Sequence, residues 1–269
     1  MPKPRPKPSP TAPFDRAAEF YDFENDRHPI LKQDVPFFLG LLPRRRQSVL
    51  ELAVGTGRAA ILIAQAGHRV VGIDESASML EVARHKRDAV GIPERALRLL
   101  RVDAKTVRLR ERFDWVAIFF NSLLGFATLD QLDAVLSNAR RHLRPRTGRF
   151  FFDLFHPDHE RLAREHEKDV EPDAFYAPTI DRTVYRTTEV RRDVARSLMR
   201  VTFHYRWHDD AGREKRLRMK FDATYLFPRE LQILLERNGM QIESLWGNYD
   251  ASPLTSRSPR MIGIARAMG

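Results

Sequence analysis

The chain has 269 residues, 42% of them hydrophobic, enough to bury the core of one large α/β domain or of a domain carrying an insertion. It contains no cysteine, which excludes disulfides, thiolate metal sites and a cysteine nucleophile. The 46 basic residues outnumber the 36 acidic ones for a net charge of +10, but arginines are spread along the whole chain, the pattern of a solvated basic surface rather than of a nucleic-acid-binding block.

Residues 1–13, "MPKPRPKPSPTAP", alternate proline with basic residues and are expected to form a disordered or polyproline-like tail. They have no apolar core, so a signal peptide is not expected. The longest apolar run, "WVAIFF" at 115–120, is far shorter than the roughly 20 residues of a membrane helix, so a cytoplasmic protein without membrane contact is expected. From Phe14 to about Leu42 the pattern suggests one or two helices. "SVLELAV" (48–54) then reads as a buried strand, "GRAAILIAQAG" as a helix stopped by Gly67, and "HRVVGID" as the next strand. Ser76 is a plausible N-cap for a helix carrying Met79, Leu80, Ala83 and Val90. "LRLLRVD" (97–103) and "FDWVAIFF" (113–120) are two more strands, Thr128 and Gln131 cap a helix at 129–143, and "GRFFFDLF" (148–155) closes the series. Five strands alternating with helices imply a parallel sheet covered on both faces.

The pattern then changes. Residues 156–170 read as a polar helix, and 181–227 as three strands of an antiparallel sheet with "DDAG" (209–212) as a hairpin turn. Pro228 and Gly239 bracket a last amphipathic helix, and "MQIESLWG" and "RMIGIARA" finish as strands.

The chemistry concentrates around "VLELAVGTGRAA" (49–60), a strand, a glycine turn and a helix start, which together aim backbone N–H groups at a polar or anionic ligand. "GTGRAA" fits a dinucleotide fingerprint with Asp74 placed as the ribose-binding acid. However, Glu51 lies inside the apolar strand, where a carboxylate is costly without partners. Asp103 adds a third acid at a third strand end, and one edge of the sheet thus carries three carboxylates.

These features resemble the class I S-adenosylmethionine-dependent methyltransferases over roughly 14–155 and 228–269, with 156–227 as an antiparallel insertion acting as lid or dimerisation element. The implied fold is a Rossmann-like seven-stranded sheet with helices on both faces plus the three-stranded insertion. The family's first motif is an acid followed by glycines at alternate positions, and here Ala53 replaces the first glycine. The resemblance implies that Glu51, Ala53, Gly55 and Gly57 surround the methionine end of the donor and that Asp74 accepts the ribose hydroxyls. It further implies that Met79 packs on the adenine and that Asp103 and Ala104 hold the adenine amino group. Asn121, with Ser122 and Leu123, would border the transferred methyl. The implied activity is methylation of a small molecule at an amine nitrogen or hydroxyl oxygen, with His156 (beside Asp153) and Tyr21 as candidate catalytic groups. Tyr249 and Arg260, in a long polar loop between the last strands, are candidate acceptor contacts. The histidines of "HPDH" (156–159) lack a third partner at readable spacing, so no metal is expected. Nucleic acid is disfavoured as substrate because "FNSLLG" lacks the proline-proline-aromatic loop of base methyltransferases. An RNA or protein methyltransferase, a nicotinamide-dependent oxidoreductase, and a non-catalytic scaffold remain as alternatives. A homodimer through the insertion is a further expectation, and aromatics on it, Tyr185, Phe203, Tyr205, Trp207, Phe221 and Tyr225, would line either a pocket or a small core.

Overall fold

The computed structural model describes residues 13–26 and 28–268, so nearly all of the proline-rich tail lies outside the described residues. Two short helices, α1 (Ala18–Asn25) and α2 (Asp34–Leu41), precede the sheet. Strands β1 (Ser48–Leu52), β2 (Arg69–Asp74), β3 (Leu97–Arg101), β4 (Trp115–Ile118) and β5 (Arg149–Phe155) alternate with α3 (Arg58–Gln65), α4 (Ala77–Ala89) and α5 (Leu129–His142). After the insertion come α7 (Pro228–Arg237), β10 (Met240–Trp246) and β11 (Arg260–Ala267). The order across the seven-stranded sheet is β10-β11-β5-β4-β1-β2-β3; β1 to β5 run parallel, and β11 enters antiparallel to β5.

Strand alternation sorts side chains onto the two faces. Leu50, Leu52, Val116, Phe150 and Phe152 meet Leu132, Leu136, Leu231 and Leu235 of α5 and α7. Val49, Val70, Trp115, Phe151 and Ile264 meet α2, α3 and α4 on the other face. Phe38 anchors α2 there: fully buried, it packs on Trp115, Phe119 and Phe151 at ring distances of 5.5, 5.3 and 4.9 Å. Its burial contributes about 2–3 kcal/mol. The expected caps form: Ser76 Oγ accepts from the Met79 N–H at 3.1 Å, and Thr128 Oγ1 from the Gln131 N–H at 3.3 Å. Among the described residues no helix is long and apolar enough to cross a membrane.

The insertion corrects one expectation. Its sheet has four strands, β6 (His166–Ala177), β7 (Arg182–Asp193), β8 (Leu198–His208) and β9 (Glu214–Thr224), in the order β6-β7-β8-β9. The helix expected over 156–170 shrinks to α6 (His159–Leu162), because the backbone of 166–177 pairs with β7 instead. The "DDAG" turn forms as expected, with Asp209 Oδ1 accepting from the Ala211 and Arg213 N–H groups, both at 3.0 Å. A small third core joins this sheet to α1 through Ala17, Phe20, Phe175, Tyr205 and Met219. Phe203, Trp207 and Phe221 pack against that core, whereas Tyr185 points to the outer face under Arg206, at 5.4 Å from its guanidinium.

Candidate active site

At the C-terminal edge of the parallel strands a cavity of about 1400 Å³ opens between the sheet, α1 and the insertion. Ala53, Gly55, Asp74, Met79, Asp103, Ala104 and Asn121 all line it. Ala53 has φ 54°, Gly55 φ 54° and Gly57 φ 76°. The left-handed backbone at Ala53 gives the physical reason why glycine is usual there; alanine holds it at a cost of about 1–2 kcal/mol. Gly57 needs its missing side chain twice, for its φ and because a Cβ there would sit 3.1 Å from Ala83 Cβ on α4.

The Asp74 carboxylate organises the turn. It accepts from the Gly55 N–H at 2.9 Å and from the Ser76 N–H at 2.8 Å, and burial raises its pKa against the pull of these two donors. Each of its oxygens keeps a second lone pair for a ligand hydroxyl. Asp103, two residues beyond β3, accepts from the Lys105 N–H at 2.8 Å and pairs with the Lys105 ammonium at 3.0 Å. Asn121 has φ 63° and accepts from the Phe155 N–H at 2.7 Å, which ties the end of β4 to the end of β5.

Glu51 and Gly57 stand one layer behind the cavity wall. Glu51 is 3% exposed, and its Oε2 has no hydrogen-bond partner among the described residues. Burial pushes its pKa up to about 8, against the attraction of Arg58, with Asp34 and Asp74 adding repulsion. Arg58 is itself held by a two-pronged pair with the buried Asp34. An orphaned buried carboxylate oxygen behind a turn of N–H groups suits a ligand with an ammonium and a carboxylate at one end, and the residues present therefore fit the methyl donor.

The N-terminal segment closes one side. Asp15 accepts from Ser76 Oγ and from the Ser78 N–H, and Asp22 accepts from Thr56 Oγ1 and the Lys86 ammonium, both at 2.6 Å. Tyr21, between these two latches, lines the cavity, and enclosure pushes its hydroxyl up to about 12. It therefore stays protonated at neutral pH, a hydrogen-bond donor or acceptor rather than a base.

His156 also lines the cavity. Its Nδ1 lies 3.0 Å from the Ser258 carbonyl, which can only accept, so Nδ1 carries a proton and donates it. His159 also lines the cavity and stacks on Phe227. Of the two expected acceptor contacts, one lies off the cavity and one reaches its wall. Tyr249 is not on the cavity wall; it packs edge-on against Phe37 at 5.8 Å, in the core between α2 and the sheet. Arg260 reaches the wall but is only 3% exposed, and its guanidinium is spent on Asp153. Leu123 is fully buried beneath the wall rather than on it.

The structure adds Glu24 and Arg186, which the sequence did not single out, beside Tyr205. Glu24 of α1 is buried, its carboxylate pairing with Arg186 of β7 and accepting from the Tyr205 hydroxyl at 2.8 Å. All three line the cavity. The only advance signal was the alternation along β8 that places Phe203 and Tyr205 on one face.

Parallel strands with a reversed last strand, a left-handed turn after β1 and acids within β1, at the end of β2 and after β3 are the features that the resemblance to class I methyltransferases implied. Residues 49–146 match the family model described as a methyltransferase domain. Cypemycin N-terminal methyltransferase from a Streptomyces species is 25% identical over 224 residues, spanning 82% of this chain and 84% of that protein. An S-adenosylmethionine-dependent methyltransferase from Clostridium acetobutylicum shares the fold with a TM-score of 0.76 at 18% identity, covering 95% of this chain and 99% of that one. The sugar N-methyltransferase KedS8 from a Streptoalloteichus species gives 0.70 at 21% identity, covering 98% and 96%. Residues 49–146 thus carry a methyltransferase domain, in a chain with the fold of S-adenosylmethionine-dependent methyltransferases.

Proposed function

We propose that the enzyme methylates an amine nitrogen of a small molecule. The observation that carries this is the continuity of one cavity from Asp74, Met79 and Asp103 to the inner face of the insertion at Thr188, Phe203 and Phe221. Its volume of about 1400 Å³ exceeds the roughly 300–1000 Å³ of a single-ligand pocket, leaving room for donor and acceptor side by side. When bound, S-adenosylmethionine supplies an electrophilic methyl on a sulfonium. Glu51 and the Ala53–Gly57 turn would hold its methionine end, Asp74 its ribose, and Met79, Asp103 and Ala104 its adenine. The insertion roofs the acceptor half and excludes water, which suits a displacement that needs mainly alignment. His156 Nε2 would take the proton that the acceptor nitrogen sheds. The names of the N-terminal and sugar N-methylating relatives support nitrogen as the acceptor atom.

The insertion serves here as a roof over the acceptor half of the cavity.

Calorimetric titration tests the proposal: S-adenosylmethionine and its demethylated product should bind, and nicotinamide dinucleotides should not. Asp74→Ala should weaken donor binding by about 1–3 kcal/mol, since bound hydroxyls lose their acceptor; unchanged affinity would remove Asp74 from the site. His156→Ala should keep donor affinity but lower kcat with amine acceptors about 100-fold. An unaltered kcat would leave deprotonation to water.

A further inference from the structure

Alternation along β7 brings Arg186, Thr188, Val190 and Arg192 to the cavity, and the register with β8 sets Tyr205, Phe203, Val201 and Met199 opposite them in that order. Met219 and Phe221 of β9 extend the rows of Phe203 and Val201. Charge is cancelled at both ends of this face. Arg186 is paired with Glu24 and lies over the Phe203 ring at 5.0 Å. Arg192 is paired with Glu167 at 2.5 Å and donates to the Arg164 carbonyl at 2.7 Å. The floor between them is apolar except for Thr188. Thr188 is 5% exposed, and its Oγ1 has no hydrogen-bond partner among the described residues. Valine would fill the same shape without burying an unpaired hydroxyl, so the hydroxyl disfavours folding unless a ligand pairs with it.

We infer that this floor seats a neutral, apolar ring or hydrocarbon segment of the methyl acceptor, and that Thr188 Oγ1 selects acceptors whose segment carries a hydroxyl. The inference rests on the amine-methylation reading and specifies its substrate class. Val190, Val201, Phe203 and Phe221 supply contact area without direction, whereas the Thr188 hydroxyl fixes how far the segment slides along β7 and hence where the amine stands relative to the donor. A phosphorylated segment does not match a floor whose two guanidiniums are already neutralised.

Matched amines test this: phenethylamine against tyramine, cyclohexylamine against trans-4-aminocyclohexanol, and O-phosphotyramine. Each is titrated into protein loaded with the demethylated donor product and assayed for turnover with S-adenosylmethionine. The hydroxylated member of each pair should be favoured about tenfold. Thr188→Val should abolish that preference by weakening only the hydroxylated members, Thr188→Ser should keep it, and the melting temperature of unliganded Thr188→Val should be unchanged or higher. A preference that survives in Thr188→Val, a preference for O-phosphotyramine, or no binding of any of the five amines to the loaded protein overturns the inference. Failure of S-adenosylmethionine itself to bind would instead overturn the methyltransferase site, and methylation of alcohols but not amines would overturn the choice of nitrogen.

Discussion

Glu51→Gln is expected to stabilise the unliganded protein progressively as the pH rises from 4.5 to about 8. Burial raises the Glu51 pKa from 4.5 to about 8, so through that window the unfolded chain releases a proton that the folded chain retains. The folded state then binds more protons than the unfolded one, and stability falls as pH rises, by up to about 1.4 kcal/mol per pH unit. Below pH 4.5 both states are protonated and the difference vanishes; above about 8 both are ionised and it levels off, at a ceiling of about 5 kcal/mol. Glutamine keeps the shape and removes the titration. Urea unfolding of wild type and variant at pH 5 and pH 8 reads the effect as a gap that widens with pH, and parallel curves would show that Glu51 ionises in the folded state as easily as in water. An ammonium-bearing ligand against Oε2 favours the ionised carboxylate. S-adenosylmethionine should therefore stabilise the wild type more than the variant.

The donor half of the site was legible in the sequence because its parts are local. A strand, a turn and a helix start are contiguous in "VLELAVGTGRAA", and strand ends can be counted forward to Asp74 and Asp103. The departure at Ala53 was also visible, though only the structure shows the left-handed φ of 54° behind it. The acceptor half was not legible, because it is made by long-range pairing. Glu24 meets Arg186, 162 residues away, and Tyr205, 181 residues away. No periodicity links such positions.

The missing fourth strand has a local cause. "HEKDVEPDAFYA" carries five charges and a proline, and its pairing with β7 shifts register twice, at Glu167/Val170 and Val170/Asp173. Bulges break the two-residue period on which strand recognition depends. As an edge strand, β6 also tolerates proline and charge that a central strand would not. Tyr249 was misplaced for another reason. A long loop between β10 and β11 suggests function, but this one folds back on the sheet: the Gly247 N–H donates to the Ser252 carbonyl at 2.8 Å and the Arg260 N–H to the Gly247 carbonyl at 3.1 Å.

Arg260→Ala is accordingly expected to act on stability first and on acceptor recognition hardly at all. Arg260 and Asp153 are 3% and 0% exposed, and the guanidinium reaches one carboxylate oxygen through both Nε, at 3.0 Å, and a terminal nitrogen. The other oxygen accepts from the Phe120 N–H at 3.2 Å, and the Asp153 carbonyl accepts from the Asn121 N–H at 2.9 Å. Asp153 thus pins two residues held at φ 48° and 63° on the cavity wall. Removing Arg260 leaves a buried carboxylate unpaired, at a cost of about 3–5 kcal/mol. Arg260→Met combined with Asp153→Asn replaces the charges while leaving an amide oxygen for the Phe120 N–H, and should recover most of that loss. Denaturant unfolding of the single and double variants provides the comparison, with donor titration of the double variant as a second readout. If Arg260 were an acceptor contact, the double variant would be stable, would bind the donor normally and would lose acceptor affinity; if its role is to hold Asp153 and the Phe120–Asn121 turn, acceptor affinity returns together with stability.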